Sequence, residues 1–215
     1  MMNMNSSHSL NGLQAQNINV SLESGAFLHQ VLIAIRASIM MLILCGVLYT
    51  GVVTGLGQLL FPFQAAGSMI QQNGQNIGSI HIGQEFVSDR YFHGRPSAAG
   101  YDPTATGGSN LAPSNPELRE RVATDSAAIQ TLEGVKAEQI PVDMLAASGA
   151  GLDPHISPAS AYLQSPRIAR VRNLDEAQVN ALIAEHTDMP QWGVLGQPRV
   201  NVLMLNLALD AAQPE

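Results

Sequence analysis

The chain holds one cysteine, one lysine and one tryptophan among its 215 residues. Each scarcity excludes something. The lone cysteine, Cys45, rules out a disulfide within the chain. It follows Leu44 inside an apolar run, which is not the setting of a lipidated cysteine, and it reads as a packed or lipid-facing thiol. The lone lysine, Lys136, follows Val135. A G-x-x-x-x-G-K-[ST] loop, which needs lysine after glycine to reach nucleotide phosphates, is therefore missing. Asp-Lys-Thr-Gly, G-x-S-x-G and H-E-x-x-H are missing too, which removes a phosphorylated pump, a serine-elbow hydrolase and a zinc peptidase. Aromatic residues make up 5% of the chain and the formal net charge is −7. Few stacking rings and a surplus of negative charge argue against nucleic acid as a partner.

What the chain does have is one long uncharged stretch. Residues 37–63 read ASIMMLILCGVLYTGVVTGLGQLLFPF. A bilayer core about 30 Å thick is crossed by roughly 20 helical residues, so this run suffices for one span. It exceeds the roughly 7–15 apolar residues of a cleaved signal and begins late, so it reads as an uncleaved anchor. Arg36 stands at its N-terminal edge, and no Lys or Arg follows until Arg90. Positive residues stay cytoplasmic, which puts the N-terminal tail inside and the rest outside. The organisation expected is a disordered polar tail over 1–28, an anchor helix over 29–63 with its core at 37–60, and a soluble domain over 64–215. That domain is of ordinary single-core size.

Local signals give the domain an α+β character. Asn73-Gly74 is a tight-turn pair between two strand-like segments. Residues 94–115, rich in Gly, Ser and Asn, form a loop longer than a connector needs. Ser114 with Glu117, or alternatively Asn115 with Pro116, starts a helix whose apolar stripe is Leu118, Val122, Ile129 and Leu132. Residues 141–147 fit a short strand or a short helix, and 149–158 read as an irregular loop. Ser157-Pro158 opens another helix, which Pro166 stands to interrupt. Asn173 with Glu176 caps a further helix to about Glu185. Residues 200–209 fit a buried strand passing into a last helix.

The chemistry-bearing residues are sparse. His81, His93 and His155 lie in loops with Asp89, Asp102 and Asp153, at no metal-ligand spacing. Their plain role is hydrogen bonding within loops. Tyr91, Phe92, His93 and Arg95 form either a surface for a partner or a packed loop entry with Arg95 on a carboxylate. Gly107-Gly108-Ser109-Asn110 and the 148–155 stretch have the backbone amides of an anion cradle, or simply turn.

Taken together, the motifs resemble the KdpC family, the small C subunit of the bacterial Kdp potassium-transporting ATPase. The matching residues are Gly57-Gln58, Phe61-Pro62, Gln64-Ala65, Gly67-Ser68 and Ile82-Gly83-Gln84. They continue through 91–97, 107–112, Ser114-Asn115-Pro116, Ser148-Gly149 and 151–158. Arg172-Asn173-Leu174, Gly196-Gln197-Pro198, 200–203 and 205–210 complete the match. The resemblance implies a non-catalytic subunit in the bacterial plasma (inner) membrane. Its implied partners are the channel-like KdpA, the ATP-hydrolysing KdpB, the small membrane subunit KdpF and the lipid bilayer. It implies a role in assembly, and one as a catalytic chaperone raising the ATP affinity of KdpB. ATP is then the implied cofactor, with Ser148, Gly149 and Gly151 as the nucleotide candidates. Gly46, Gly51, Gly55 and Gly57 would let a partner helix approach the anchor closely. Tyr91, Phe92, His93, Arg95, Asp153 and His155 are the domain's partner-contact candidates. An extracytoplasmic domain cannot touch cytoplasmic ATP, so its action on nucleotide would run through the membrane subunits. The alternative is an external cap over the potassium entrance that concentrates or gates cations.

Overall fold

The structure, a computed structural model, describes residues 24–212. Most of the expected polar tail lies outside these residues. The chain divides into two units, one ending at Leu60 and one starting at Phe61.

The first unit is a continuous helical rod: α1 (Ser24–Met41), a π-helical stretch (Leu42–Tyr49) and α2 (Thr50–Leu60). Residues 24–28, assigned to the tail from sequence, already belong to α1. The apolar part, Phe27–Leu60, is 34 residues long with a mean hydropathy of 2.5. At 1.5 Å per residue it spans about 51 Å, more than a hydrocarbon core requires. None of its most apolar window is buried within the chain, so its lining must come from lipid or other helices. In the wider π turns the Thr50 hydroxyl donates to the Cys45 carbonyl at 2.9 Å. The rod ends where Phe61, at φ −135°, leaves the helical region ahead of Pro62. Proline forces that on its predecessor.

The second unit opens with a short helix, α3 (Pro62–Ala65), and a hairpin of β1 (Met69–Gln72) and β2 (Gln75–Ser79). Asn73 and Gly74 at its tip have φ of 53° and 78°. Two positive values in succession make the mirror-image turn that matches strand twist, and Asn-Gly is the pair that adopts it most readily. Among the described residues, no helix or strand interrupts the chain from 80 to 115.

Helix α4 (Pro116–Glu133) is capped by Asn115, whose side chain accepts the Glu117 amide at 2.9 Å, and it stops at the left-handed Gly134. Of the two starts expected, Asn115 with Pro116 is the one used. Residues 141–147 contain a single 3₁₀ turn, Val142–Met144. Strand β3 (His155–Ile156), helix α5 (Pro158–Arg172), helix α6 (Glu176–Glu185), strand β4 (Thr187–Asp188), strand β5 (Arg199–Asn201) and helix α7 (Val202–Ala212) complete the chain. The sheet order is β3-β5-β4, both pairings antiparallel.

Two further expectations change. Pro166 does not break α5, which runs through it. Its neighbours Ser165 and Arg167 are buried, so tertiary contacts hold the turn that loses a backbone bond. Asn173 does not cap α6. It ends α5 at φ 54°, and Asp175 caps α6 in a reciprocal box with Gln178. Asparagine tolerates the left-handed region, and Asp175, two residues on, stands where its carboxylate accepts the Ala177 amide at 3.1 Å.

The core joins Phe92, Ile156, Ile168, Val179, Ile183, Val200, Leu205 and Leu209. It unites α5, α6, α7 and the central strand β5 around one aromatic ring from the irregular segment.

Candidate functional site

Residues 89–93 have no regular partner strand, so their backbone groups need partners from elsewhere. Side chains supply them. The Phe92 amide donates to Asn206 at 2.8 Å, and Asn206 donates back to the Phe92 carbonyl at 3.0 Å. The His93 amide donates to Gln164 at 2.8 Å, and Gln164 returns a bond to the His93 carbonyl at 3.2 Å. Arg167 donates to the carbonyls of Asp89 and Tyr91 and to Glu133 at 2.9 Å. Arg172 donates to the Arg90 carbonyl and to Asp210, both at 2.7 Å. Its guanidinium also lies 4.9 Å from the centre of the Tyr91 ring. Two helices thus act as a surrogate strand for an irregular segment.

The Arg167–Glu133 pair is almost sealed from solvent, each side chain 1% exposed. Burial pushes the Glu133 carboxyl above its ordinary range, against the pull of Arg167. Its second oxygen is buried without a hydrogen-bond partner, which fits that direction.

Beyond this clamp, three stretches of the irregular segment 80–115 meet residues 146–155. Arg95 bonds Asp153 at 2.8 Å and the Ala146 carbonyl at 3.2 Å. Asp153 also accepts the His155 amide at 3.0 Å, and the His155 ring lies 3.4 Å away. These contacts, the His155 bonding foremost, hold the Asp153 carboxyl down at about 2. The Ser148 amide donates to Pro96, the Gly151 amide to Ser148, and the Gly107 amide to Ala150. The Ser97 hydroxyl donates to the Gly151 carbonyl at 2.7 Å. A Cβ on Gly108 would stand 2.8 Å from the Gly149 carbonyl oxygen, and one on Gly83 2.7 Å from that of Asp153. The glycines are therefore where loop backbones touch.

This placement bears on each candidate. The amides of Ser148 and Gly151 are engaged within the domain, while Gly149 is exposed. Phe92 is fully buried in the core and presents nothing to a partner, a correction with a simple cause: it is the aromatic anchor of the clamped segment. Tyr91 is half-buried and donates to Asp210 at 3.1 Å. His93 is held to the Ser88 carbonyl at 3.1 Å, and burial pulls its imidazole below 6.5. Arg95 takes the ion-paired reading. His93 and His155 lie in different clefts. One, of about 290 Å³, has His93, Pro96, Leu132, Glu133 and Met144 in its wall. The other, of about 420 Å³, has Arg95, Asp143, Asp153, His155 and Arg199. His81 lines neither, and among the described residues no three His, Cys, Asp or Glu side chains converge as metal ligands. Gly46, Gly51 and Gly55 are exposed and Gly57 half-exposed on the rod, and the last three have open space where a side chain would stand.

Sequence reasoning missed Gln164, Arg167, Arg172 and Asn206. Asn206 carried a signal, as the polar residue inside the apolar run 200–209.

Comparison with known proteins places the chain in a family. The family model described as "KdpC: K+-transporting ATPase, c chain" matches residues 31–211. A potassium-transporting ATPase KdpC subunit of Shewanella putrefaciens is 61% identical over 176 residues, 82% of this chain and 88% of that protein. The subunit of the same name in Gemmatimonas aurantiaca is 52% identical over 79% of this chain and 86% of its own length. That of Acidobacterium capsulatum is 52% identical over 82% and 95%. With the match running from within the apolar helix to the end of α7, the chain belongs to the KdpC family, the C subunit of potassium-transporting ATPases.

Proposed function

We propose that this chain is a non-catalytic subunit that assembles and stabilises a Kdp-type complex in the bacterial inner membrane. In that complex it acts as a catalytic chaperone, raising the ATP affinity of the ATP-hydrolysing subunit KdpB through the membrane subunits. KdpA and KdpF are the other partners in this reading. The observation that carries it is the pairing of a long lipid-compatible helix with a domain whose loops spend their polar groups on one another. The Ser148 and Gly151 amides already have protein acceptors, and the Asp153 carboxylate beside them would repel phosphate. Those facts favour action at a distance over a phosphate cradle at 148–151. A coupling of about 1–3 kcal/mol between sites changes an affinity by roughly 5–150-fold.

The test is the ATP dependence of potassium-stimulated hydrolysis in the complex with and without this chain. The reading predicts a raised KM for ATP without it, and the same KM as wild type with Gly149→Ala. A normal KM without the chain would refute the chaperone role. The cap over the KdpA potassium entrance remains the second reading, supported by the formal charge of −7. A negative domain concentrates cations in a salt-sensitive way.

A further inference from the structure

The loop between β4 and β5 gathers four exposed large hydrophobic side chains on one turn. Residues 189–198 carry no charge. Met189, Trp192, Val194 and Leu195 are 70%, 88%, 77% and 52% exposed. Trp192 is the chain's only tryptophan.

The loop is built, not slack. The Val194 and Leu195 amides donate to the Gln191 carbonyl, Gly193 to Pro190, and Gln191 to Leu195. Trp192 and Gly193 have φ of 52° and 76°, two positive values in succession. The β1–β2 turn does the same with Asn73-Gly74, the pair that suits that backbone. Here a bulky ring occupies the position asparagine prefers. A large side chain held in the left-handed region points to a role for the side chain itself. At the stem, Asp188 and Arg199 face each other across the β4–β5 pairing, 3.6 Å apart. The loop thus has an apolar tip, a turn closed by four backbone hydrogen bonds and a charged collar.

We propose that this tip inserts into the interfacial zone of the lipid bilayer, with Trp192 at headgroup depth and the Asp188–Arg199 pair in water. Tryptophan settles at that depth, where water still reaches the backbone groups the turn leaves open. Four side chains on one tight turn are far fewer than the roughly 20–30 residues a side of a standard protein interface. They are enough to add to an existing tether. The domain starts at Phe61, directly after the apolar helix ends at Leu60. The inference rests on that helix spanning a membrane.

The single tryptophan makes its own reporter. The full chain is reconstituted into phosphatidylethanolamine–phosphatidylglycerol vesicles, and flotation scores membrane incorporation separately. Trp192 emission should be blue-shifted, shielded from acrylamide and quenched more by phospholipids brominated near the headgroup than deep in the tails. Val194→Asp should restore water-like emission while the circular dichroism stays unchanged. Flotation with water-like, acrylamide-accessible emission would overturn the inference and leave the anchor standing. A loop that is open in vesicles but shielded after assembly, scored by labelling Trp192→Cys on a Cys45→Ala background, would overturn it in favour of a protein contact. Failure to float would overturn the anchor reading and the inference with it.

Discussion

Replacing Arg167 with methionine tests the clamp most sharply. The guanidinium is buried, donates to Glu133 at 2.9 Å, and also serves Gln164 and the carbonyls of Asp89 and Tyr91. Methionine fills much of the volume and supplies no donor. It leaves the Glu133 carboxyl, 1% exposed, without its counter-charge. Breaking a buried pair from one side costs about 3–5 kcal/mol. Domains are stable by about 5–15 kcal/mol, so this is a large fraction of the whole. With a urea slope near 2 kcal/mol per molar, the midpoint should fall by about 2 M. The assay is pulse proteolysis of the full chain in detergent micelles across a urea series, which reads domain unfolding without interference from the anchor helix. The double variant Arg167→Met with Glu133→Leu removes the stranded charge. It should recover about 2 kcal/mol of the loss, a coupling expected only of groups in contact. A loss below about 1 kcal/mol for the single variant, or a double variant equal to the sum of its parts, would refute the reasoning.

Other outcomes follow from the same geometry. His93 sits below its ordinary 6.5 because it is buried. Its contribution to stability is therefore complete above pH 6.5 and declines as pH falls from 6.5 toward the lowered value; His93→Phe should flatten the urea midpoint between pH 7.5 and 5.5. Asp153, lowered from 3.8 to about 2, contributes stability that is complete above pH 3.8 and lost as pH falls toward 2. Its side chain is 32% exposed, so screening holds the effect of Asp153→Asn at pH 7 below about 2 kcal/mol, measured by urea unfolding. Gly108→Ala would drive a Cβ into the Gly149 carbonyl at a cost of about 1–3 kcal/mol. Hydrogen exchange at the Gly107 and Gly151 amides should accelerate. Neutralising exposed carboxylates such as Glu117, Glu120 and Glu138 should weaken apparent potassium affinity at low ionic strength only, if the domain concentrates cations.

Much of the fold could be read from local chemistry. Asn73-Gly74, Asn115-Pro116 and Ser157-Pro158 announce a hairpin and two helix starts, because each pair fixes its own backbone. The anchor is legible because lipid imposes length and composition together. What was illegible is non-local. Nothing near Phe92 says that Gln164, Arg167 and Asn206 complete its segment's hydrogen bonds from 71 or more positions away. The aromatic and basic residues 91–95 fit a partner surface or a packed loop entry equally well in sequence, and only the structure shows Phe92 packed and Arg95 paired with Asp153. Pro166 misled because propensity is local and the buried neighbours overrule it. Asn173 misled because asparagine serves both ends of a helix, and only the backbone angle decides which.

The central claim is that a membrane-tethered domain influences an ATPase without touching its nucleotide. The most direct measurement is the side of the membrane on which the domain lies. Ala137, exposed on the 3₁₀ turn Ala137–Gln139, can be replaced by cysteine with Cys45→Ala as background. The account predicts rapid labelling by a membrane-impermeant maleimide applied at the outer face of the inner membrane in intact cells. Labelling only after that membrane is permeabilised would place the domain beside cytoplasmic ATP and contradict the account.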